Sequence, residues 1–391
     1  MITTSDIVLG ANAERSRSHN RGMVLGQIRL AGRIGRADIA RASGLSIQAV
    51  SNITSDLLED GLIVDRGRGT AGRGHPPVLY ALNPDGGYAI GVEIRPDAIF
   101  AGILNLCGET IASERWSLES TDRDTITQTL LRLRDHIVTK AGISERKLLG
   151  AGVVMPGPFG ATGLSDSESD LPGWEDVAPG RWFAEHLGMP VLVENDANAA
   201  AMAERISGIA QSLDTFAFLY FGRGLGLGVI ANGRLMAGAF GNAGEIGHIP
   251  VPCAGRTVPL ESVVSRLSVQ RALQQQGIDA PSTADLDRLF AAGDPVLMTW
   301  LDTAAEPLSA AITILENLFD PETVILGGAL PQSILEHLVG RIRLSGRSVS
   351  ERADRLHPRL MTGASGRLTA TLGAAALVIN QAFVPKIADL P

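Results

Sequence analysis

The stretch "GEIGHIPVPCAGRTVPLE", residues 244–261, gathers Glu245, His248, Cys253 and Glu261, side chains from which a site can be built. A Glu and a His three apart beside glycines suit ligand binding: Gly permits close approach, and both side chains exchange hydrogen bonds. The thiol follows at a metal-ligand kind of distance. Metal binding, acid–base chemistry and recognition of a small molecule all stay open for this set. Cys107 and Cys253 are the only cysteines, which removes a disulfide framework and any four-cysteine zinc motif.

Such residues work only if a folded body positions them. Hydrophobic residues at 45% and charged residues at 19% give an ordinary globular balance, and 391 residues suffice for two or three domains. A net charge of -8 argues against nonspecific attraction to nucleic acid or anionic membranes. The charge is uneven, however. Residues 1–85 hold ten Arg, no Lys and eight acidic residues, a balance of +2 that leaves -10 for the remainder. The two ends therefore face different partners. "MITTSDIVLGANAERSRSHN" lacks the apolar core of a signal peptide, and no run reaches membrane-span length. A soluble, cytoplasmic chain with no membrane partner is expected, with residues 1–19 flexible.

Residues 20–83 read as a small helical head. "RGMVLGQIRLAG" puts Met23, Val24, Ile28 and Leu30 on roughly one side of a helix. "RADIARASGLSIQAVSNITSDLLEDGL" then reads as helix, tight turn at Gly44, and a second helix capped by Ser46. Val50, Ile53 and Leu57 form its buried stripe. Ser46, Gln48, Ser51, Asn52 and Ser55 lie off that stripe and are short, neutral hydrogen-bonding groups suited to DNA contact, base edges in a major groove included. "LIVDR" and "PPVLYAL" predict two strands around a glycine-rich loop, whose Arg66, Arg68 and Arg73 suit phosphates or a minor groove. Helix and arginine-tipped hairpin together predict a winged helix-turn-helix with two-point DNA contact. A head that recruits a protein instead is the competing reading.

From residue 84 to 391, strand-like runs ("AIGVEI", "LLGAGVVMPG", "VLVEND", "TFAFLYFG", "LGLGVIANG", "TVILGGAL") alternate with helical stretches. The alternation predicts an α/β body of two lobes around a cleft. The segments "GLSIQAVSNITSDLLEDGLI", "GVEI", "VVMPGP", "ENDANAAAMAE", "GRGLGLGV", "GNAGEIGHIPV" and "DPETVILGGAL", in this order, resemble the ROK family of repressors, open reading frames and kinases. The resemblance implies a two-lobed actin-like ATPase (sugar kinase-like) fold behind the winged helix-turn-helix, with the C-terminal helix returning to the first lobe.

The resemblance also says which residues matter. Asp196 in "VENDANAA" matches the family's catalytic Asp, although an Asp after a strand also caps helices. The family kinases carry Asp-x-Gly-Gly-Thr after the first strand, where bare backbone cradles phosphate. This chain has Glu93-Ile94-Arg95-Pro96-Asp97 there, and Arg223 stands where the kinases have Thr. ATP is therefore not expected as a cofactor and the chain is read as a non-enzyme, leaving Asp196 a vestigial base. The alternative is an ATP-dependent sugar kinase with a DNA-binding head.

The family's zinc loop is altered too. Pro252, Ala254 and Pro259 occupy the three cysteine places, Val258 replaces a glycine, and Cys253 is one residue off register. Four ligands cannot be assembled, and no metal is expected. The family's sugar contacts fall here on Asn195, Asp196, Glu245, His248 and Glu261, with Gly157 as a close backbone approach and Asp170 as a further candidate. The sequence thus reads as a regulator, a repressor of carbohydrate uptake or catabolism genes. Its partners are operator DNA, bound as a homodimer or homotetramer, and a sugar or sugar-derivative effector.

Overall fold

The computed structural model describes residues 4–68, 77–156, 171, 174, 177–253, 255–363, 366 and 368–383, with side chains from residue 16 onward. The head opens with α1 (Thr4–Ala31), β1 (Ile34–Gly35), α2 (Arg36–Ser43) and α3 (Ile47–Glu59). It closes with the hairpin β2 (Ile63–Arg68) and β3 (Val78–Leu82). Gly44 takes φ 71 after α2, and the Ser46 hydroxyl accepts from Ala49 N at 3.2 Å to start α3. Val50, Ile53 and Leu57 are buried as their spacing predicts, with Thr54 beside them.

Two features of the head differ from the sequence reading. The N-terminal stretch, expected to be flexible to residue 19, is helical from Thr4. It contains no proline, so no backbone N–H is missing from the turn-to-turn bonds. Leu30 is exposed, and Val24, Leu25 and Ile28 make the buried side of α1.

The first lobe follows as β4 (Tyr88–Arg95), β5 (Ala98–Asn105), β6 (Thr110–Ser117), α4 (Arg123–Ala141), β7 (Leu148–Val154), α5 (Pro179–Leu187) and β8 (Val191–Glu194). Its sheet has the order β6-β5-β4-β7-β8, antiparallel on the β6 side and parallel on the β8 side. Next come α6 (Asp196–Ile206), β9 (Phe216–Phe221), β10 (Leu225–Ala231), β11 (Arg234–Leu235) and the hairpin β12 (Pro250–Cys253) and β13 (Arg256–Pro259). The chain finishes with α7 (Arg266–Gln274), α8 (Thr283–Ala291), α9 (Pro295–Phe319), β14 (Val324–Gly328), α10 (Gln332–Arg341), β15 (Leu360–Thr362) and α11 (Thr369–Phe383). The second sheet, β11-β10-β9-β14-β15, repeats the plan of the first.

Between the sheets lie two helices. α11 packs on β4, β5 and β7, α6 packs on β9 and β10, and the two helices pack extensively on each other. The approach is close enough to demand glycine. A Cβ on Gly91 or Gly152 would lie 1.9 Å from the carbonyl oxygens of Thr371 and Ala374 in α11. One on Gly373 would lie 1.9 Å from Ala199 O in α6. Val24, Leu25 and Ile28 of the head share one hydrophobic cluster with Ala199, Met202, Ile379 and Phe383. The head is thus continuous with the body's central layer, and no described helix is long and apolar enough to cross a membrane.

Candidate functional site

α6 starts where β8 ends, and its first turn supplies two of the expected residues. Asn195 is the N-cap, its Oδ1 accepting from Asn198 N at 2.8 Å. Asp196 Oδ1 accepts from Ala197 N at 2.8 Å. Burial, reinforced by the nearby Glu93 charge, pushes the Asp196 carboxyl up to about 6. A carboxylate so placed is a good hydrogen-bond acceptor near neutral pH and changes state on mild acidification.

The β9–β10 turn connects this carboxylate to the second group. A Cβ on Gly222 would lie 2.8 Å from Asp196 Oδ2, and one on Gly224 would lie 2.6 Å from Glu261 Oε2. Gly247 also approaches Glu261, its would-be Cβ 3.1 Å from Oε2. Glu245 and His248 flank a short helical turn, His248 Nε2 3.8 Å from Glu245 Oε2. Burial raises the Glu245 carboxyl and Glu261 adds to the rise, while His248 opposes it. Asp196 and Glu261, far apart in sequence, therefore meet at one turn, residues 222–224; Asn195 adjoins Asp196, and Glu245 lies close enough to Glu261 to feel its charge. Gly157 and Asp170 lie outside the described residues.

Sequence reasoning missed part of this neighbourhood. Glu194, just before the N-cap, accepts from Asn198 Nδ2 at 2.9 Å, and burial raises its carboxyl. Glu93 is buried, accepting from Arg95 Nε and Nη2 at 2.6 Å and from Thr371 Oγ1 at 2.8 Å. Tyr220 is buried near Asp196 and Glu93, and its phenol is raised well above the usual range by burial. "VEND" carried the signal for Glu194. The Glu93–Thr371 contact joins distant strand and helix, and nothing local announces it.

The turn after β4 has a specific structure. Arg95 bends back onto Glu93 and stacks over Phe100, its guanidinium 4.5 Å from the ring centroid. Pro96 and Asp97 are exposed, and Asp97 pairs with Arg115 at 3.3 Å rather than facing inward. Arg95 thus places an engaged side chain at a position where the family resemblance implies glycine.

β12 and β13 pair antiparallel, with Pro250 opposite Pro259 and Cys253 opposite Arg256. The donors do not fit a zinc ion: proline stands at two of the expected ligand positions, and a ladder of backbone bonds orders the loop. Among the described residues no three His, Cys, Asp or Glu side chains converge as a metal cluster. A cavity of about 630 Å³ between α7 and α9, lined by Arg271, Gln275 and Trp300 among others, holds none of the expected ligand residues.

On the head, Gln48 and Asn52 are exposed and bonded to each other at 3.1 Å, and Ser55 is exposed with its hydroxyl on Ser51 O. Ser51 is half-buried and Ser46 is occupied by the cap. Arg66 and Arg68 stand exposed on β2, whereas Arg73 lies outside the described residues. Ile47, exposed at 63%, was not foreseen; it begins α3 beside Gln48, where an apolar side chain can meet a thymine methyl group.

Residues 89–381 match the ROK family, and residues 17–64 match the winged helix-turn-helix DNA-binding family. A xylose repressor of Bacillus spizizenii is 26% identical over 380 residues, covering 92% of this chain and 95% of that protein. The DNA-binding transcriptional dual regulator NagC of Escherichia coli K12 is 26% identical over 329 residues, covering 77% and 78%. Among solved structures, a ROK family transcriptional regulator described as a homologue of the E. coli MLC protein superposes with a TM-score of 0.72 at 25% identity, over 94% of this chain and 97% of that one. A ROK family glucokinase from Streptomyces griseus, solved with glucose and AMPPNP, superposes with a TM-score of 0.57 at 25% identity over 74% of this chain and 99% of that one. The chain belongs to the ROK family and carries a winged helix-turn-helix DNA-binding domain at its N-terminal end.

Proposed function

We propose that the protein is a sugar-responsive transcriptional repressor whose kinase-like body binds an effector without phosphorylating it. The head, residues 20–83 together with the helix leading into it, would contact operator DNA through α3 and the arginines of the β2–β3 hairpin. The body, residues 84–391, would hold the effector, with target genes in carbohydrate uptake or catabolism. Asn195, Asp196, Glu245, His248 and Glu261 suit a polyhydroxylated ligand because each accepts or exchanges hydrogen bonds with vicinal hydroxyls. A site so lined disfavours analogues lacking a hydroxyl, whose binding would leave buried polar groups unpaired.

The observation that carries the non-kinase part is Arg95. Phosphoryl transfer needs donors aimed at the nucleotide's phosphates, and here the turn offers a proline and a side chain already engaged with Glu93 and Phe100. No ATP and no zinc are therefore proposed, the β12–β13 hairpin ordering the former zinc loop by itself. A homodimer or homotetramer would place two heads on a palindromic operator.

Relatives named for xylose, N-acetylglucosamine and glucose supply three probes: D-xylose, N-acetyl-D-glucosamine and D-glucose. With an operator selected from random duplex DNA, at least one probe should lower the affinity of the wild-type protein. The Asp196→Ala plus Glu245→Ala variant should bind the same DNA and ignore the sugar. A variant that still responds would sink the site assignment.

A further inference from the structure

α6 spans from the candidate ligand site to the head. Asn195 and Asp196 begin it, and Arg205 closes its last turn about 15 Å away at 1.5 Å per residue. At that far end the Arg205 carbonyl accepts from Arg29 Nη1 of α1 at 3.2 Å. The same Arg29 guanidinium stacks over Phe383, the last described residue of α11, 5.1 Å from the ring centroid. α11 in turn presses on α6 at Gly373. Arg29 is therefore the polar group by which the head touches both central helices at once.

We infer that Arg29 is the positioning residue through which occupancy of the cleft sets the orientation of the DNA-binding head. The inference rests on the sugar-sensor reading above. The apolar contacts of Val24, Leu25 and Ile28 are non-directional and tolerate sliding. A planar guanidinium held between one carbonyl and one ring face is directional, and a small shift of α6 against α11 changes both contacts together. The contact is also poorly satisfied. Arg29 Nε is buried without a partner among the described residues, and the Arg205 guanidinium adds like charge nearby. A donor left unpaired makes this arrangement marginal, so a modest ligand-driven displacement can move the head to another.

The test uses full-length protein, the selected operator, and the three probes D-xylose, D-glucose and N-acetyl-D-glucosamine. Sugar binding is measured by calorimetry, and DNA binding by anisotropy with and without saturating sugar. Wild type should lose at least about tenfold in DNA affinity with one probe, within the usual range of allosteric coupling. Arg29→Leu should keep its sugar Kd within about twofold, yet lose less than about threefold in DNA affinity. Arg29→Lys, which keeps a cation and a donor, should recover part of the response. Phe383→Leu, which spares the Arg205 hydrogen bond, should give an intermediate one and covers the case in which Arg29→Leu folds poorly. An Arg29→Leu protein with the full wild-type response, or a Phe383→Leu protein indistinguishable from wild type, overturns the role of Arg29 alone. A wild type whose DNA affinity no probe changes contradicts the sensor reading itself, and the inference with it.

Discussion

Replacing Gly222 by Ala perturbs the ligand site without removing any of its polar groups. The added methyl would sit 2.8 Å from Asp196 Oδ2 and 2.9 Å from Tyr220 Cε1. Ordinary contact is about 3.5 Å, so the carboxylate or the turn must give by about 0.7 Å. Tyr220 is buried and cannot retreat, and Asp196 is tethered by Ala197 N, so the displacement falls on the carboxylate face that the proposal turns to the ligand. A hydrogen bond to a charged group contributes about 1.5–3 kcal/mol, and misplacing one should weaken sugar binding roughly 10- to 100-fold. Calorimetry of the full chain with its responsive sugar reads this directly. Operator affinity without sugar should stay within about twofold, since the head is untouched. Gly340→Ala is the control, because a Cβ there meets open space. Sugar affinity unchanged in a folded Gly222→Ala protein would refute the placement of the ligand against Asp196.

Other consequences are equally open to measurement. A carboxylate raised to about 6 that accepts a ligand hydroxyl binds best when ionised, so sugar affinity should fall as pH drops through about 6. In Asp196→Asn that inflection should vanish from the calorimetric pH profile. Glu316 and Arg359 form a buried two-pronged ion pair at 2.7 and 2.6 Å, so Glu316→Ala should destabilise the second lobe by about 3–5 kcal/mol, seen as a lower denaturation midpoint. Purified protein should carry well under one zinc per chain by elemental analysis, and chelation should leave its melting temperature unchanged; a stoichiometric, stabilising ion would contradict the donor argument.

Legibility in the sequence followed the range of the interactions. The α3 stripe of Val50, Ile53 and Leu57 and the Ser46 cap are local, and the pattern alone locates them. The Asn195 cap is equally local. Strand β1 has two residues and no period to detect, yet Ile34 and Gly35 complete the head's sheet by pairing with Tyr80 and Leu79. The N-terminal part of α1 shows no apolar repeat, so its helix went unforeseen. Glu93 reads in sequence only as a degraded phosphate motif. That it anchors Arg95 and Thr371 depends on β4 and α11 being pressed together across glycines, a contact only the folded chain reveals. The same holds for Arg29, an unremarkable helix residue until its carbonyl and ring partners arrive from α6 and α11.

In the proposed function the cleft reports a sugar to the head without chemistry on that sugar. The most direct measurement follows operator affinity as the responsive sugar is added, with and without Mg-ATP, and assays the same samples for sugar phosphate. Sugar-dependent loss of DNA binding that ATP leaves unchanged is expected, with no phosphorylated sugar above background. Turnover of ATP into sugar phosphate, or DNA release only when ATP is present, would contradict it.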